Sequence, residues 1–557
     1  MSPTLAILSV HSHGDRSFLD DRELALVSGE LREAGIDNDL VVAVIEQDVL
    51  GLVDALRGYD VIVYERVWSV ELLAELRSRL PDKIFVSCEG EHRIEDPPAD
   101  YVCRGDLAAA LTALAMKLRG TGELLPGTRV REGEGWRGVP GMPPAPRPRP
   151  FRPNLNPRIV SPLPALRTFA VHGNSGCPYQ ADARESPLYA GVQLPAGMGR
   201  GCAFCTTGNR YEGKPTKETL DSVLEQIRVL VPHIEHLVLK DQNPFGYLEQ
   251  LMSACAAEGI PPFSLLLETR ADWFLRARER LERALEIAQR AGYRIAPYLV
   301  GIENFSQPEL DRMNKGTTVD DNFAFLELLW ELAERHPALD LSLSAFGFVL
   351  WTPWTTPEDL RRNLEGIVRS RLGELRGHLL RSRARLYPDT ALYYLAQRDG
   401  LLCESWEQAS DDPSARYGYF PGTPWRFQHP ETARLWRKCL EASEGRDEVQ
   451  VLESVLSGTA VQEASGATVE VRLAPGCELD CPLCDSPASS LAELSKGGRT
   501  AVLRIGTASP SVIAEAVRAA RAAGFAEIVV ASHALFGEAE LAALRELGVD
   551  RLRRAHV

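Results

Sequence analysis

Short aliphatic runs alternate with amphipathic helical stretches along most of this chain, and no other feature limits its fold so strongly. Between residues 166 and 400, strand-like runs fall at Thr168–His172, His236–Lys240, Pro262–Glu268, Ile295–Gly301 and Leu341–Leu350. Helical patterns lie between them, among them Lys217–Leu230, Arg276–Ala291 and Asp321–Arg335. Strands that are apolar on both faces, each followed by a helix, suit a parallel sheet covered by its own crossovers. This region therefore predicts a full or partial parallel (β/α) barrel.

The same reasoning applies to residues 1–118. Strands are expected at Leu5–Val10, Leu40–Ala43, Asp60–Tyr64 and Lys83–Ser87, with helices over Asp21–Ala34, Val70–Arg79 and Asp106–Leu118. That order predicts a doubly wound α/β unit. Residues 119–165 break the pattern, with ten prolines between Pro140 and Pro164 and several arginines among them. Proline fixes φ and removes a backbone donor, so this stretch is an extended linker, either a free tether or a strap draped on a neighbour. Residues 401–460 read as helical and irregular. A last α/β stretch, 461–557, carries strands at Val502–Ile505 and Glu527–Ala531 and a third within Gly548–Val557.

A chain of 557 residues exceeds one ordinary domain. Its 62 basic residues against 77 acidic give a net charge of −15, which leaves no bulk electrostatic case for nucleic acid or an anionic membrane. No apolar run approaches the roughly eighteen residues of a membrane span. Thr4–Val10 lacks a basic flank and reads as a strand instead of a signal peptide, so a cytoplasmic location is expected. In a reducing compartment the eleven cysteines suggest thiols or metal ligands more than disulfides.

Two cysteine groups stand out. One is Cys202-Ala-Phe-Cys205, preceded by Gly199-Arg-Gly201; the other is Cys477-Glu-Leu-Asp-Cys481-Pro-Leu-Cys484. A C-x3-C-x2-C loop holds three thiolates close together. Three thiolates bind three irons of a [4Fe–4S] cluster and leave the fourth iron open to an external ligand. A zinc knuckle, or buried thiols without metal, uses the same residues.

Around the first group the sequence resembles the radical S-adenosylmethionine superfamily. Ser175-Gly-Cys-Pro-Tyr179 looks like the start of that family's cluster loop and Gly201-Cys-Ala-Phe-Cys205 like its end. The family has three residues between its first two cysteines, whereas 24 separate Cys177 from Cys202 here. The insertion Gln180–Arg200 would then be an excursion above the barrel mouth; in the alternative, Cys177 is a core thiol and the third ligand lies elsewhere. Further matches follow in order: Leu237-Val-Leu-Lys-Asp241, Leu265-Leu-Leu-Glu-Thr-Arg270, Gly301-Ile-Glu-Asn-Phe-Ser306, Leu310-Asp-Arg-Met-Asn-Lys-Gly316 and Phe346–Asp359. The resemblance implies that Cys177, Cys202 and Cys205 hold a [4Fe–4S] cluster. It implies Phe204 beside the adenine of S-adenosylmethionine, Asp241 towards its amine, Glu268 and Arg270 towards ribose and carboxylate, and Glu303 at a strand end. The second group resembles the opening of another such domain that stops after about half a barrel. It implies a second cluster on Cys477, Cys481 and Cys484, auxiliary or degenerate, with the exposed half-barrel covered by the rest of the chain or by a partner.

Residues 1–118, placed ahead of such a domain, resemble the cobalamin-binding domain of cobalamin-dependent radical S-adenosylmethionine enzymes. Ser87-Cys-Glu-Gly-Glu91 looks like a corrin-contacting loop, with Glu89 and Gly90 in it. The Asp-x-His-x-x-Gly cobalt-ligand motif is absent, and His11 and His13 do not replace it. The resemblance implies Arg66 under the cobalt, where a guanidinium, lacking a lone pair to donate, leaves that position unligated. The expected activity is methylation of a carbon in a small-molecule or peptide precursor, using S-adenosylmethionine, cobalamin and an external flavodoxin- or ferredoxin-type electron donor. Two alternatives stay open: a cobalamin-dependent ring-forming or rearrangement enzyme, and a non-catalytic cluster-bearing partner of another radical enzyme.

Overall fold

The computed structural model describes residues 3–11, 17–19, 21–44, 49–65, 70–89, 96–145, 150–160, 166–174, 176–211, 213–375, 379–404, 422–443, 447–458, 469–472, 500–504, 510–523, 525, 527–532, 549 and 551–554. Two compact units divide the chain, Met1–Leu456 and Ser457–Val557. In chain order the strands of the first unit are β1 (Leu5–His11), β2 (Ser17–Leu19), β3 (Asn38–Val44), β4 (Val61–Tyr64), β5 (Ile84–Glu89), β6 (Tyr101–Arg104), β7 (Arg129–Glu132), β8 (Gly135–Gly138), β9 (Arg158–Ile159), β10 (Leu166–Val171), β11 (His236–Leu239), β12 (Ser264–Leu267), β13 (Arg294–Glu303) and β14 (Ala345–Phe348).

Five of these strands form the parallel heart of the first sheet, in the order β6-β5-β4-β1-β3. This doubly wound order places helices on both faces. Leu52, Val53, Leu56, Leu72, Leu73 and Leu76 from two helices pack on Ala6, Leu8, Ile62 and Phe85. The other face carries the helices Arg22–Glu33 and Leu107–Leu118. Each begins at an aspartate: Asp21 accepts from Leu24 N at 3.2 Å, and Asp106 from Ala109 N at 3.0 Å. These caps satisfy donors that a helix start otherwise leaves open.

The proline-rich stretch is a strap. It contributes the antiparallel hairpin β7–β8 at one edge of the sheet and β9, parallel to β3, at the other. Between them Pro144 O accepts from Asp106 N, and Asn154 N donates to Ala25 O at 2.8 Å. The Asn154 carboxamide donates to Ser28 Oγ, and Arg152 pairs with Glu33. At Pro144 the strap bonds through its carbonyl, which proline still offers, and the free-tether alternative falls away.

The second sheet runs β2-β10-β11-β12-β13-β14, all parallel. From β10 to β14 spatial order follows chain order, as in a partial barrel. Its edge strand comes from the first lobe: Ser17, Phe18 and Leu19 pair with Leu166, Arg167 and Thr168. The strand expected over Leu341–Leu350 is shorter, because Asp340 accepts from Ser342 N and Ser342 Oγ and turns Leu341–Leu343 into a 3-10 helix. Helix Val319–Arg335 seals the convex face, with Phe325 6.1 Å from Phe346 and Phe323 stacked on Phe305.

The second unit contains β15 (Val469–Arg472), β16 (Thr500–Arg504), β17 (Glu527–Ser532) and β18 (Arg551–Arg554), parallel and in sequence order, with a helix at Pro510–Ala522. No helix among the described residues is long and apolar enough to cross a membrane.

Gly29 tests the strap. A Cβ there would overlap Arg152 O. Gly→Ala in a helix interior ordinarily gains about 1 kcal/mol. Here the overlap should outweigh that gain, and G29A should be destabilised by about 1–3 kcal/mol. Tryptic cleavage at Arg158, in the strap strand β9, should accelerate several-fold; equal cleavage rates would contradict the strap.

Candidate functional site

The site forms at the carboxyl ends of the second sheet, where a parallel array presents its loops. After β10 the chain reaches Cys177, and the insertion Gln180–Arg200 then folds back on its own neck. Ala183 N donates to Gly199 O, Gly201 N donates to Ala181 O, and the backbones of Asp182 and Arg200 pair antiparallel. Gly201 and Gly208 stand backbone against backbone, so neither position has room for a side chain. Asn314 clamps the neck, its Nδ2 donating to Gly201 O at 2.8 Å and Ala181 O at 3.1 Å. The closed neck returns the chain beside its starting point, and Cys177, Cys202 and Cys205 become neighbours despite the long insertion.

Cys177 N donates to Thr207 O at 3.1 Å, and Thr207 N donates to Cys205 Sγ at 3.4 Å. Burial, with smaller contributions from Cys202 and Cys205, pushes the Cys177 thiol up to about 11. Burial also raises Cys202, against Lys315 and Arg270, which stabilise its anion. Arg270 Nη1 lies 3.4 Å from Cys202 Sγ. The rest of its guanidinium donates to Asp272 Oδ1 at 2.9 Å and Lys315 O at 2.7 Å, and it stacks 4.0 Å from the Tyr179 ring centroid. Lys315 is buried and pairs with Glu303 at 2.8 Å. Burial alone would pull its ammonium down; Glu303 and Cys202 outweigh that and hold it above the usual lysine value. Thr207 bonds Cys205 Sγ through both its hydroxyl and its backbone N–H. Among the described residues no three His, Cys, Asp or Glu side chains form a group that could hold a metal ion.

The structure thus brings Cys177, Cys202, Cys205, Arg270 and Glu303 together, with Phe204 5.9 Å from Lys315 Nζ. Asp241 and Glu268 stand at neighbouring strand ends. Asp241 is spent on the scaffold: it accepts from Tyr247 Oη at 3.0 Å, Asn243 N at 3.0 Å and Asn174 N at 3.4 Å. Burial raises its carboxyl above the ordinary value. Glu268 accepts from Lys240 and, at 3.1 Å, from Gln242. Arg66, Gly90, Cys477, Cys481, Cys484 and the side chain of Glu89 lie outside the described residues. Cys88 and Cys103 are interior thiols paired in register between β5 and β6.

Three residues of this site had no role assigned from sequence. Lys315 lies in the quoted Met313-Asn-Lys-Gly316, whose turn backs the cysteine loop, with Met313 O accepting from Ala203 N at 2.7 Å. Lys240 and His172 each directly follow a strand, and that strand-end position was the available signal. His172 is an exposed residue whose ring is crowded by neighbouring atoms; that crowding, assisted by Arg22 and Lys240, pulls its imidazole below the usual value.

The sequence matches no protein-family model and no curated protein. Among solved structures, one match is the apo, selenomethionine-labelled cobalamin-dependent S-adenosylmethionine radical enzyme OxsB. It is 14% identical, at TM-score 0.47, over 82% of this chain and 71% of that one. Two solute-binding proteins also match: a carbohydrate-transporter protein from Agrobacterium radiobacter (11% identity, TM-score 0.15, 68% and 92% coverage) and one from Aeropyrum pernix K1 (13%, 0.14, 82% and 91%). All three lie below the similarity at which a shared fold or activity follows.

Two outcomes test the site. A Cβ on Gly208 would press into Arg200 O and spread the neck. G208A should lose about 1–3 kcal/mol of stability, and trypsin should cut at Arg184 or Arg200 several-fold faster; unchanged digestion would count against a closed neck. Folded His172 is held below its ordinary value of 6.5, and its exposure keeps the effect small. The unfolded state therefore binds the proton first, and stability should fall modestly as pH drops below 6.5. H172Q should flatten that fall in thermal midpoints measured between pH 7 and 5.

Proposed function

We propose that this chain is a cobalamin-dependent radical S-adenosylmethionine enzyme that methylates a carbon of a small-molecule or peptide precursor, with a flavodoxin- or ferredoxin-type protein as electron donor. The observation that carries this reading is that Cys177 and Cys205 both bond Thr207 while Cys202 lies 3.4 Å from buried Arg270, whose neighbour Lys315 is buried as well, at the mouth of a parallel sheet. Three cysteine thiols are the donor type and number that three corners of a cube-shaped cluster take, which supports the reading. When bound, such a cluster supplies an electron to S-adenosylmethionine held at its open iron.

The chain's own residues do the rest. Arg270 and Lys315 offset the negative charge that three thiolates bring into a buried loop. Phe204 offers a flat apolar face beside that charge, suited to adenine. The Lys240–Glu268–Gln242 group offers hydrogen-bonding partners for ribose. The insertion, folded down on residues 312–314, limits access of water. A corrin would lie at the carboxyl ends of β4 and β5, where doubly wound sheets bind ligands. Arg66, Glu89 and Gly90 are the contacts proposed there, and Cys477, Cys481 and Cys484 are proposed as ligands of a second cluster.

Anaerobic reconstitution tests this reading. About four irons per chain are expected for one cluster and about eight for two, together with one cobalt. With S-adenosylmethionine, reductant and precursor, 5′-deoxyadenosine and S-adenosylhomocysteine should form, and the product should gain one methyl mass; C202A should abolish all three. A product without the mass gain would point to ring formation or rearrangement. Absence of both nucleosides would leave a cluster-bearing scaffold.

A further inference from the structure

The strand β13 is irregular where regularity would be expected. Against β14, Tyr298 pairs with Ala345, Val300 with Phe346, Gly301 with Gly347 and Glu303 with Phe348, so Leu299 and Ile302 are extra residues of two bulges. Leu299 has φ 50°, a left-handed conformation that crowds its Cβ against the backbone. It is also 47% exposed, although its strand has neighbours on both sides.

Register assigns the faces of its neighbours, and its exposure then assigns its own. Phe346 and Phe348 pack on Phe325 and Phe305 at the helical side, and Val300 and Ile302 are fully buried. Tyr298 turns the other way, onto the small cluster of Val238, Leu266 and Ala296. The helical side is closed, so the accessible leucine lies on the concave side, between that apolar floor and the mouth where Glu303 and the thiols stand. A glycine would relax the bulge, and a polar side chain would suit water better. Leucine at this position loses on both counts until an apolar group covers it.

We propose that Leu299 is a specificity-determining residue that contacts a hydrocarbon portion of the substrate inside the half-barrel. This rests on the reading of the mouth as the reaction site, which makes the occupant a substrate.

The test uses the full chain and neutral apolar probes, the primary alcohols from butan-1-ol to octan-1-ol, followed by ligand-observed NMR. Affinity for the wild type should rise with chain length. L299G should weaken octan-1-ol roughly ten-fold, the scale of one lost leucine contact, while its thermal midpoint stays equal or rises because glycine tolerates the left-handed φ. L299D should weaken binding at least as much. Unchanged octan-1-ol affinity in either variant would overturn the proposal, and so would a lowered midpoint in L299G, which would make Leu299 a packing residue. These readouts need no cluster, nucleoside or corrin. Failure to form 5′-deoxyadenosine would therefore strike the proposed chemistry and leave this result standing.

Discussion

The closed neck of the insertion is the constraint on which the candidate site rests. Three thiols separated by a long excursion can meet only if the excursion returns to its origin. The return depends on two glycine backbones in contact and on one asparagine that bonds both sides of the neck. The gathered thiols then create an electrostatic problem, since anions crowd one another in a partly buried loop. Arg270 and Lys315 answer it from below, and Asp272 and Glu303 balance them in turn. Charge is thus layered outward from the thiols, so removing one layer leaves the next uncompensated.

Backbone strain gathers in the same place. Four described residues other than glycine have positive φ, and three of them, Leu299, Glu303 and Asn314, fall on β13 or the turn that follows the next helix. Glu303 turns its carboxylate towards Lys315 from such a conformation, and Asn314 closes the neck from another. Strain of this kind persists where surrounding packing over-determines it. An aromatic layer of Phe305, Phe323, Phe325, Phe346 and Phe348 backs the sheet on its convex face.

Much of the architecture was legible in the sequence, because paired apolar runs and amphipathic helices report burial directly. The strands β10 to β14 fall close to their expected positions. The 3-10 turn at Leu341–Leu343 was hidden by its apolar residues, since the deciding group is the carboxylate of Asp340. The strap was ambiguous because its partners, Ala25, Glu33 and Asp106, are far away in sequence. In the site, residue types were legible and their orientations were not. Asp241 reads as a strand-end residue, and its oxygens also accept from Tyr247 and two backbone amides, which sequence does not show. Lys315 sits in a recognisable segment, but its value lies in charge complementarity, which exists only once Glu303 and Cys202 are nearby.

The short strand β2 joins the two sheets of the first unit. It leaves the loop after β1, at the ligand-presenting end of the first sheet, and hydrogen-bonds the strand that leads straight to Cys177. Cut from its amino-terminal lobe, the half-barrel would be left with a raw, adhesive margin along β10. Shuffling either lobe onto a foreign neighbour would break this seam, so the two sheets form one indivisible structural piece.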